Sequence, residues 1–315
     1  VFAGVAIRSI IENSSPDTNY DIIILDTGMR DASRMLLRRE IGDRRNFSLR
    51  FLNIEHELLS RNLPSAHHIT IGTFGRFLIL DHLIGYDKVL YLDCDLVANT
   101  DVSDLYSTDL EENLIAAVRD TAGNGWYRIP GNEMHDHMDN VLGITEPCGY
   151  FNAGVLVMNL AGLRQETTCD ELMRMAVDPK WMWLDQDVLN YVCCNKVKYL
   201  DQSWNYMAHK ESYATPWSLP EVWLPKWLQD AYAEAQKNPR IVHYVGHSIP
   251  CFAPEADCYW LFWKYARKSL FYERILKIAM SETVENEQMS TRVHARQAVR
   301  GVKDAIKNKL KRRAK

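Results

Sequence analysis

An α/β fold with a mostly parallel sheet covered on both faces is what this sequence predicts, and three observations predict it. Short apolar runs that read as strands alternate with stretches of helical spacing, the pattern of βα units. One such run, Val89-Leu90-Tyr91-Leu92, stops at two aspartates one residue apart, Asp93 and Asp95. Ligands of such sheets gather beyond the carboxyl ends of the strands, where this pair stands. Finally, 315 residues with 47 % hydrophobic side chains are enough for one large domain or two modest ones with a real core.

The elements follow in order. Val1–Asn13 reads as a helix, with Val5, Ile7, Ile10 and Ile11 able to share a face. Asp21–Asp26 is a strand closed by Thr27-Gly28, Asp31–Ile41 a helix and Leu49–Ile54 a strand. Ile71–Leu83 is a helix carrying Arg76. After the central run, Leu114–Val118 is a strand ending at Arg119-Asp120. Thr121–Gly149 has weak periodicity and much Gly, Asn and His. It reads as a long loop or small subdomain over the site. Tyr150–Asn159 returns to strand, with Asn152 and Gly154 where the backbone must come close to something. Leu172–Val177 is helical, and Asp185-Gln186-Asp187 precedes an apolar helix start. Val197–Leu200 is a short strand. Trp204, Tyr206, Trp217, Trp223 and Trp227 form an aromatic-rich stretch. Ile241–Tyr244 is a strand holding His243, and Cys258–Ile278 is an amphipathic helix.

In a strand, residues i and i+2 point to one side, so Asp93 and Asp95 leave the sheet together. Two adjacent carboxylates repel, and a divalent cation removes that cost. Hard oxygen ligands suit Mg²⁺ or Mn²⁺ held against phosphates. A bare D-x-D is otherwise two solvated aspartates capping a turn. Each further candidate has its plain alternative. His243 can be a satisfied half-buried histidine, and His135 and His137 solvated loop side chains. Asn152 can begin a turn, Asp185 and Asp187 can serve the start of their helix, and the tryptophans can be core.

No apolar run approaches a membrane span, and no charged-then-apolar secretory segment opens the chain. Seven scattered cysteines without C-x-x-C spacing read as reduced cytoplasmic thiols. The net charge of −4 hides an asymmetry: residues 291–315 hold ten Lys/Arg against Asp304. Within them Val299, Val302, Ile306 and Leu310 make a narrow apolar stripe. A basic helix with such a stripe fits an anionic membrane surface; a nucleic-acid partner would not require the stripe. A nucleic-acid-binding or a disordered solvated tail is the alternative.

Taken together, Val89–Asp95, Tyr150-Phe151-Asn152-Ala153-Gly154-Val155, Asp185–Asn190 and His243-Tyr244-x-Gly246 occur in an order and spacing that resembles the family 8 glycosyltransferases, of GT-A fold. The likeness is to the bacterial lipopolysaccharide-type α-galactosyl- and α-glucosyltransferases, over roughly residues 1–255. It implies a GT-A catalytic domain over 1–255, which the residue pattern follows with a helical region over 256–290 and the basic membrane-surface tail over 291–315. It further implies a retaining transfer of glucose or galactose from a UDP-sugar to a saccharide or glycolipid acceptor. Mn²⁺, or Mg²⁺, would be held by Asp93, Asp95 and His243, at the cytoplasmic face of the membrane, with no nucleic acid. Arg76, Asp93, Asp120, Asn152, Ala153, Asp185 and Gln186 would line the donor, Gly246 would approach phosphate, and His68 with 121–149 would face the acceptor. Asp185 and Gln186 are the implied catalytic pair. An amide at Gln186 is a poor nucleophile, which favours front-face substitution over double displacement. A glycogenin-like glucosyltransferase acting on protein shares this donor site, and a non-catalytic sugar-nucleotide-binding homologue is the alternative of another class. Two departures stand out. The family opens with a strand and acidic loop that lie before the place of Val1, and Ile249-Pro250-Cys251 replaces a Lys-Pro-Trp whose lysine touches phosphate, leaving His247 as a substitute cation.

Overall fold

A computed structural model describes residues 1–64, 71–209, 220–246 and 248–281. Helix α1 (Phe2–Asn13) leads into β1 (Tyr20–Asp26), α2 (Asp31–Ile41), β2 (Phe47–Asn53) and α3 (Glu55–Leu59). Then come α4 (Gly75–His82), β3 (Lys88–Leu92), β4 (Leu96–Ala98), α5 (Ser103–Tyr106) and β5 (Ile115–Arg119). Helices α6 (Thr121–Arg128) and α7 (Glu133–Asp136) precede β6 (Phe151–Asn159), α8 (Leu160–Glu166), α9 (Cys169–Ala176) and α10 (Asp185–Val192). The chain continues through β7 (Val197–Tyr199), β8 (Tyr206–Met207), α11 (Lys226–Lys237), β9 (Ile241–His243) and α12 (Tyr259–Ala266). The α/β class and most element positions agree with the sequence.

Among the described residues the strands form three sheets, ordered β1-β2, β3-β6-β5-β7 and β4-β9-β8. The pairing is mixed, where alternation alone predicts mostly parallel. β1–β2, β5–β7 and β8–β9 are parallel, whereas β6 runs antiparallel to both β3 and β5, and β4 to β9. The reason for β6 is local. The segment after β5 stays at that strand's carboxyl end, and the Asp120 N–H donates to Tyr150 O across 2.9 Å. The chain therefore re-enters the sheet from the end it left and must run backwards.

β6 is buried along nearly its whole length because both faces are covered. Its pleat divides the core. Val155 and Val157 join the side formed by α1, α2 and α12, while Leu156 and Met158 join the side formed by α4 and α8–α10. β1 and β3 are only half-buried in their apolar stretches.

Three expectations change. Residues 121–149 are helical: α6 is N-capped by Asp120, whose Oδ1 accepts from Gly123 N at 2.8 Å. α7 is capped by Asn132, and a π-helical turn, His137–Leu142, ends at Gly143 with φ 67°. The glycines that disguised α6 serve close packing. A Cβ on Gly125 would lie 2.1 Å from Pro220 O, and one on Gly123 2.7 Å from the Tyr150 ring. Second, the helix predicted over Ile71–Leu83 opens as a 3₁₀ turn, Ile71–Phe74. Third, the helix predicted over Cys258–Ile278 is interrupted after α12 and resumes over 272–281. There the buried Glu40 accepts the Leu270 N–H at 2.8 Å, diverting a backbone donor from the helix. Among the described residues no helix is long and apolar enough to cross a membrane. All seven cysteines are unbridged. The tail 291–315, His68, Trp217 and His247 lie outside the described residues.

Candidate active site at the carboxyl end of the central strands

The site begins with register. β3 ends at Leu92, and the next residue is tied to β6 by Asp93 N donating to Gly154 O at 2.8 Å. Two residues on, Asp95 O accepts from Tyr244 N at 2.9 Å, and Leu96 pairs with His243. Those ties bring Asp93, Asp95 and His243 together, with one ligand atom of each within 4.8 Å of the others. His243 Nε2 stands 3.2 Å from Asp95 Oδ1 and 3.9 Å from Asp93 Oδ2. The other ring nitrogen, Nδ1, donates to Asn205 Oδ1 at 3.1 Å, while Asn205 Nδ2 donates onward to Asn152 Oδ1 at 2.9 Å. That bond gives Nδ1 the donor role, so the neutral ring would offer its Nε2 lone pair to a metal shared with the carboxylates. Gly154 makes the room: a Cβ there would sit 2.2 Å from His243 Cε1. Two carboxylates and an imidazole with one open side fit Mn²⁺ or Mg²⁺. Burial pulls the His243 pKa down, but Asp95 and Asp93 outweigh it and the net shift is upward.

Beside this cluster Arg76 is buried and bridges both halves of the site. Its Nη2 donates to Asp93 Oδ1 at 3.1 Å, its Nη1 to Ala153 O at 2.5 Å, and its Nε lies 2.9 Å from Asp185 Oδ2. The guanidinium rests over the Tyr91 ring at 4.6 Å, and the Tyr91 hydroxyl donates to Asp93 Oδ1 at 2.7 Å. Burial works against the Arg76 charge, but Asp185, Tyr91 and Asp93 raise its pKa overall. For Asp185, burial raises the pKa more than Arg76 lowers it. The charge of Asp185 therefore depends on that guanidinium.

Gln186 is held at both ends. Its Oε1 accepts from Ala153 N at 3.0 Å and Asn152 Nδ2 at 3.3 Å, and its Nε2 donates to Asp120 Oδ2 at 3.2 Å. Asn152 Nδ2 also reaches Asp120 Oδ2 at 3.1 Å. Thus Arg76, Asp93, Asp95, Asp120, Asn152, Ala153, Asp185, Gln186 and His243 form one connected constellation. Gly246 follows three residues after His243 with φ 61°, a backbone shape that suits glycine. Ile249 and Cys251, where a cation was missing from the sequence, are buried apolar side chains.

Sequence reasoning missed several members. Tyr91 had a signal, because it shares the i, i+2 face with Asp93. Asn205 had none. His137 was placed among solvated loop histidines, yet it is buried, its Nε2 2.7 Å from Asp187 Oδ2, because the π-helical turn directs it inward. His135 is exposed, 3.6 Å from Asp139. A hollow of about 710 Å³ lies along Tyr127–Asp136, but none of the constellation lines it.

A mixed α/β sheet with this site at its edge has the GT-A fold of solved glycosyltransferases. The chain belongs to glycosyl transferase family 8, whose sequence profile its residues 1–250 match. It is 31% identical over 198 residues to the lipopolysaccharide 1,3-galactosyltransferase of Salmonella typhimurium, covering 60% of this chain and 52% of that protein. It is also 31% identical over 199 residues to glycosyltransferase GlyA of Streptococcus pneumoniae, covering 62% of this chain and 24% of the relative. The chain thus spans about a quarter to a half of the length of these curated relatives. Among solved structures it resembles the WbbM bifunctional glycosyltransferase in its apo form, with TM-score 0.78 and 27% identity, covering 89% of this chain and 49% of that one. The galactosyltransferase LgtC, solved with donor and acceptor sugar analogues, shares the fold at TM-score 0.59 and 23% identity, covering 89% of this chain and 91% of its own.

Proposed function

We propose that this chain is a hexosyltransferase that moves glucose or galactose from a UDP-sugar to a saccharide or glycolipid acceptor with retention of configuration. The observation that carries the proposal is the joining of a metal-fitting triad (Asp93, Asp95, His243) to a polar set (Arg76, Asp185, Gln186, Asp120, Asn152) through single shared side chains. Mn²⁺ held by the triad would supply Lewis-acid stabilisation of the charge that builds on the leaving diphosphate. Arg76 adds positive charge beside that position. Asp185, Asp120 and Asn152 offer fixed acceptors and a donor for sugar hydroxyls.

Retention is argued from what Gln186 and Asp185 are already doing. Gln186 is an amide engaged at both ends, and Asp185 is committed to Arg76, so neither offers a free carboxylate for a covalent intermediate. A front-face substitution fits better. The acceptor hydroxyl bonds to the anomeric carbon on the side from which the bond to diphosphate oxygen breaks, and its proton passes to that oxygen. The relatives named for galactosyl and glucosyl transfer to lipopolysaccharide support the hexose and a glycan acceptor.

UDP release from a panel of UDP-sugars, with Mn²⁺ and with EDTA, tests this reading. Metal-dependent release from one hexose donor is the expected outcome; tight UDP binding with no release from any donor would put the non-catalytic homologue in its place. Association with anionic membrane through residues 291–315 is part of the same proposal, on the charge and apolar stripe of that stretch. Deleting it is expected to abolish binding to phosphatidylglycerol vesicles while leaving transfer to a soluble acceptor intact, and undiminished vesicle binding would refute it.

A further inference from the structure

Immediately before the catalytic pair the backbone is strained. Leu184 has φ 51° and ψ −119°, a shape that glycine adopts freely and a leucine does not. The strain belongs to a tight turn, in which Gln186 N donates to Trp183 O at 3.1 Å. That turn decides where Asp185 and Gln186 point. Leu184 is itself buried, so its side chain is anchored while its backbone is bent.

Three bonds to one buried carboxylate hold the bend. Asp187, 0% exposed, accepts from Trp183 N at 2.8 Å, from His137 Nε2 at 2.7 Å and from the Tyr150 hydroxyl at 2.6 Å. The donors come from the turn itself, from the π-helical turn His137–Leu142 and from the residue just before β6. Burial raises the Tyr150 pKa, as do Asp187 and Asp120, so the phenol remains a donor. The Trp183 ring stacks on Trp126 at 5.4 Å and 10°. A buried carboxylate so fully satisfied is not available to a substrate.

We infer that Asp187 is a positioning residue that holds the strained Leu184 turn and thereby aims Asp185 and Gln186 at the donor sugar. The kinetic part of this rests on the transferase reading; the stability part stands without it. Asp187→Asn keeps the shape but exchanges one acceptor oxygen for a donor. It is expected to lower kcat by about tenfold to a hundredfold while donor KM stays within about threefold, because misaimed groups lose more in the transition state than in binding.

The deciding experiment is a double-mutant cycle with Leu184→Gly, which removes the strain the clamp opposes. Leu184→Gly also loses packing, but the cycle cancels that cost. In the Leu184→Gly background, Asp187→Asn is expected to cost less than about threefold in kcat and to lower Tm by less than half as much as in wild type. Equal costs of Asp187→Asn in the two backgrounds would overturn the proposal. Should Leu184→Gly not fold, Tyr150→Phe replaces it: its kcat loss is expected to vanish in the Asp187→Asn background, and undiminished loss there overturns the clamp. If the wild type transfers nothing, the transferase reading has failed, and the Tm arm of the cycle still decides the clamp by the same criterion.

Discussion

The two sides of the site are built differently. The floor is made of strand ends: Asp93, Asp95, Asn152, Gly154 and His243 hang on β3, β6 and β9, and their separations follow from strand register. The roof, 121–149, is made of short helices fixed by caps, stacked rings and single side-chain bonds. Register sets where these residues leave the sheet, and side chains such as Asn205 and Arg76 then orient them. Caps and stacked rings hold less firmly. On the transferase reading proposed above, the floor would meet the demand every hexose donor shares, diphosphate charge, and the roof would meet what differs between acceptors.

The harshest break of this contrast is Asp95→Ala. Transfer and donor hydrolysis should fall together by about a thousandfold or more, because a metal held by two remaining ligands cannot neutralise the diphosphate. A mutant with near-normal turnover in Mn²⁺ would remove the metal from the floor altogether. Gly154→Ala is a subtler break of the same region. The new Cβ would meet His243 Cε1 at 2.2 Å and Asp93 Oδ2 at 3.0 Å, so the imidazole must move. We expect Mn²⁺ affinity, read by calorimetric titration, to weaken by about ten- to a hundredfold, the range for disturbed ligand support. Unchanged affinity would mean His243 is not a ligand.

The same contrast explains what was legible in the sequence. Floor residues announced themselves because strands leave a period of two and end in polar residues, so Asp93, Asp95, Asn152 and His243 could be named. Asp185 and Gln186 came with the family blocks, and Arg76 and Asp120 with what the resemblance implied for the donor. Asn205 and His137 were not legible, because they act through long-range side-chain contacts that no local pattern records. The roof read as a loop because Gly123 and Gly125 imitate one. Their real role, letting Tyr150 and Pro220 approach, exists only in the folded state. The direction of β6 was lost for a like reason: periodicity finds a strand but not the end from which it enters the sheet.

If the roof serves the acceptor, a roof mutant should separate two activities that a floor mutant cannot. Trp126→Ala removes the ring stacked on Trp183. Acceptor KM is expected to rise about tenfold, while donor hydrolysis without acceptor stays within about twofold. Equal loss of both would show that Trp126 supports the floor through Trp183, and the division between the regions would have to be redrawn.

The smallest effect concerns how the roof is pinned. Glu221, in the 3₁₀ turn whose Pro220 abuts Gly125, lies 2.8 Å from His209 Nε2. Burial pulls the His209 pKa down, yet the bond to Glu221, with help from Asp257 and Asp120, raises it overall. A histidine whose folded pKa lies above its unfolded one stabilises fully at pH below the unfolded value. That contribution disappears as pH climbs through the folded value. The roof pin therefore weakens on the alkaline side. Glu221→Gln removes the raising partner, so its Tm should start lower and fall less between about pH 6 and about pH 9 than that of wild type. The gap between the two proteins should close by about 2–4 °C across that range, what about 1 kcal/mol is worth in a chain of this size. Parallel curves would show that His209 carries no charge-dependent share of the roof's stability, and that the region is pinned by Gly125 and Pro220 packing alone.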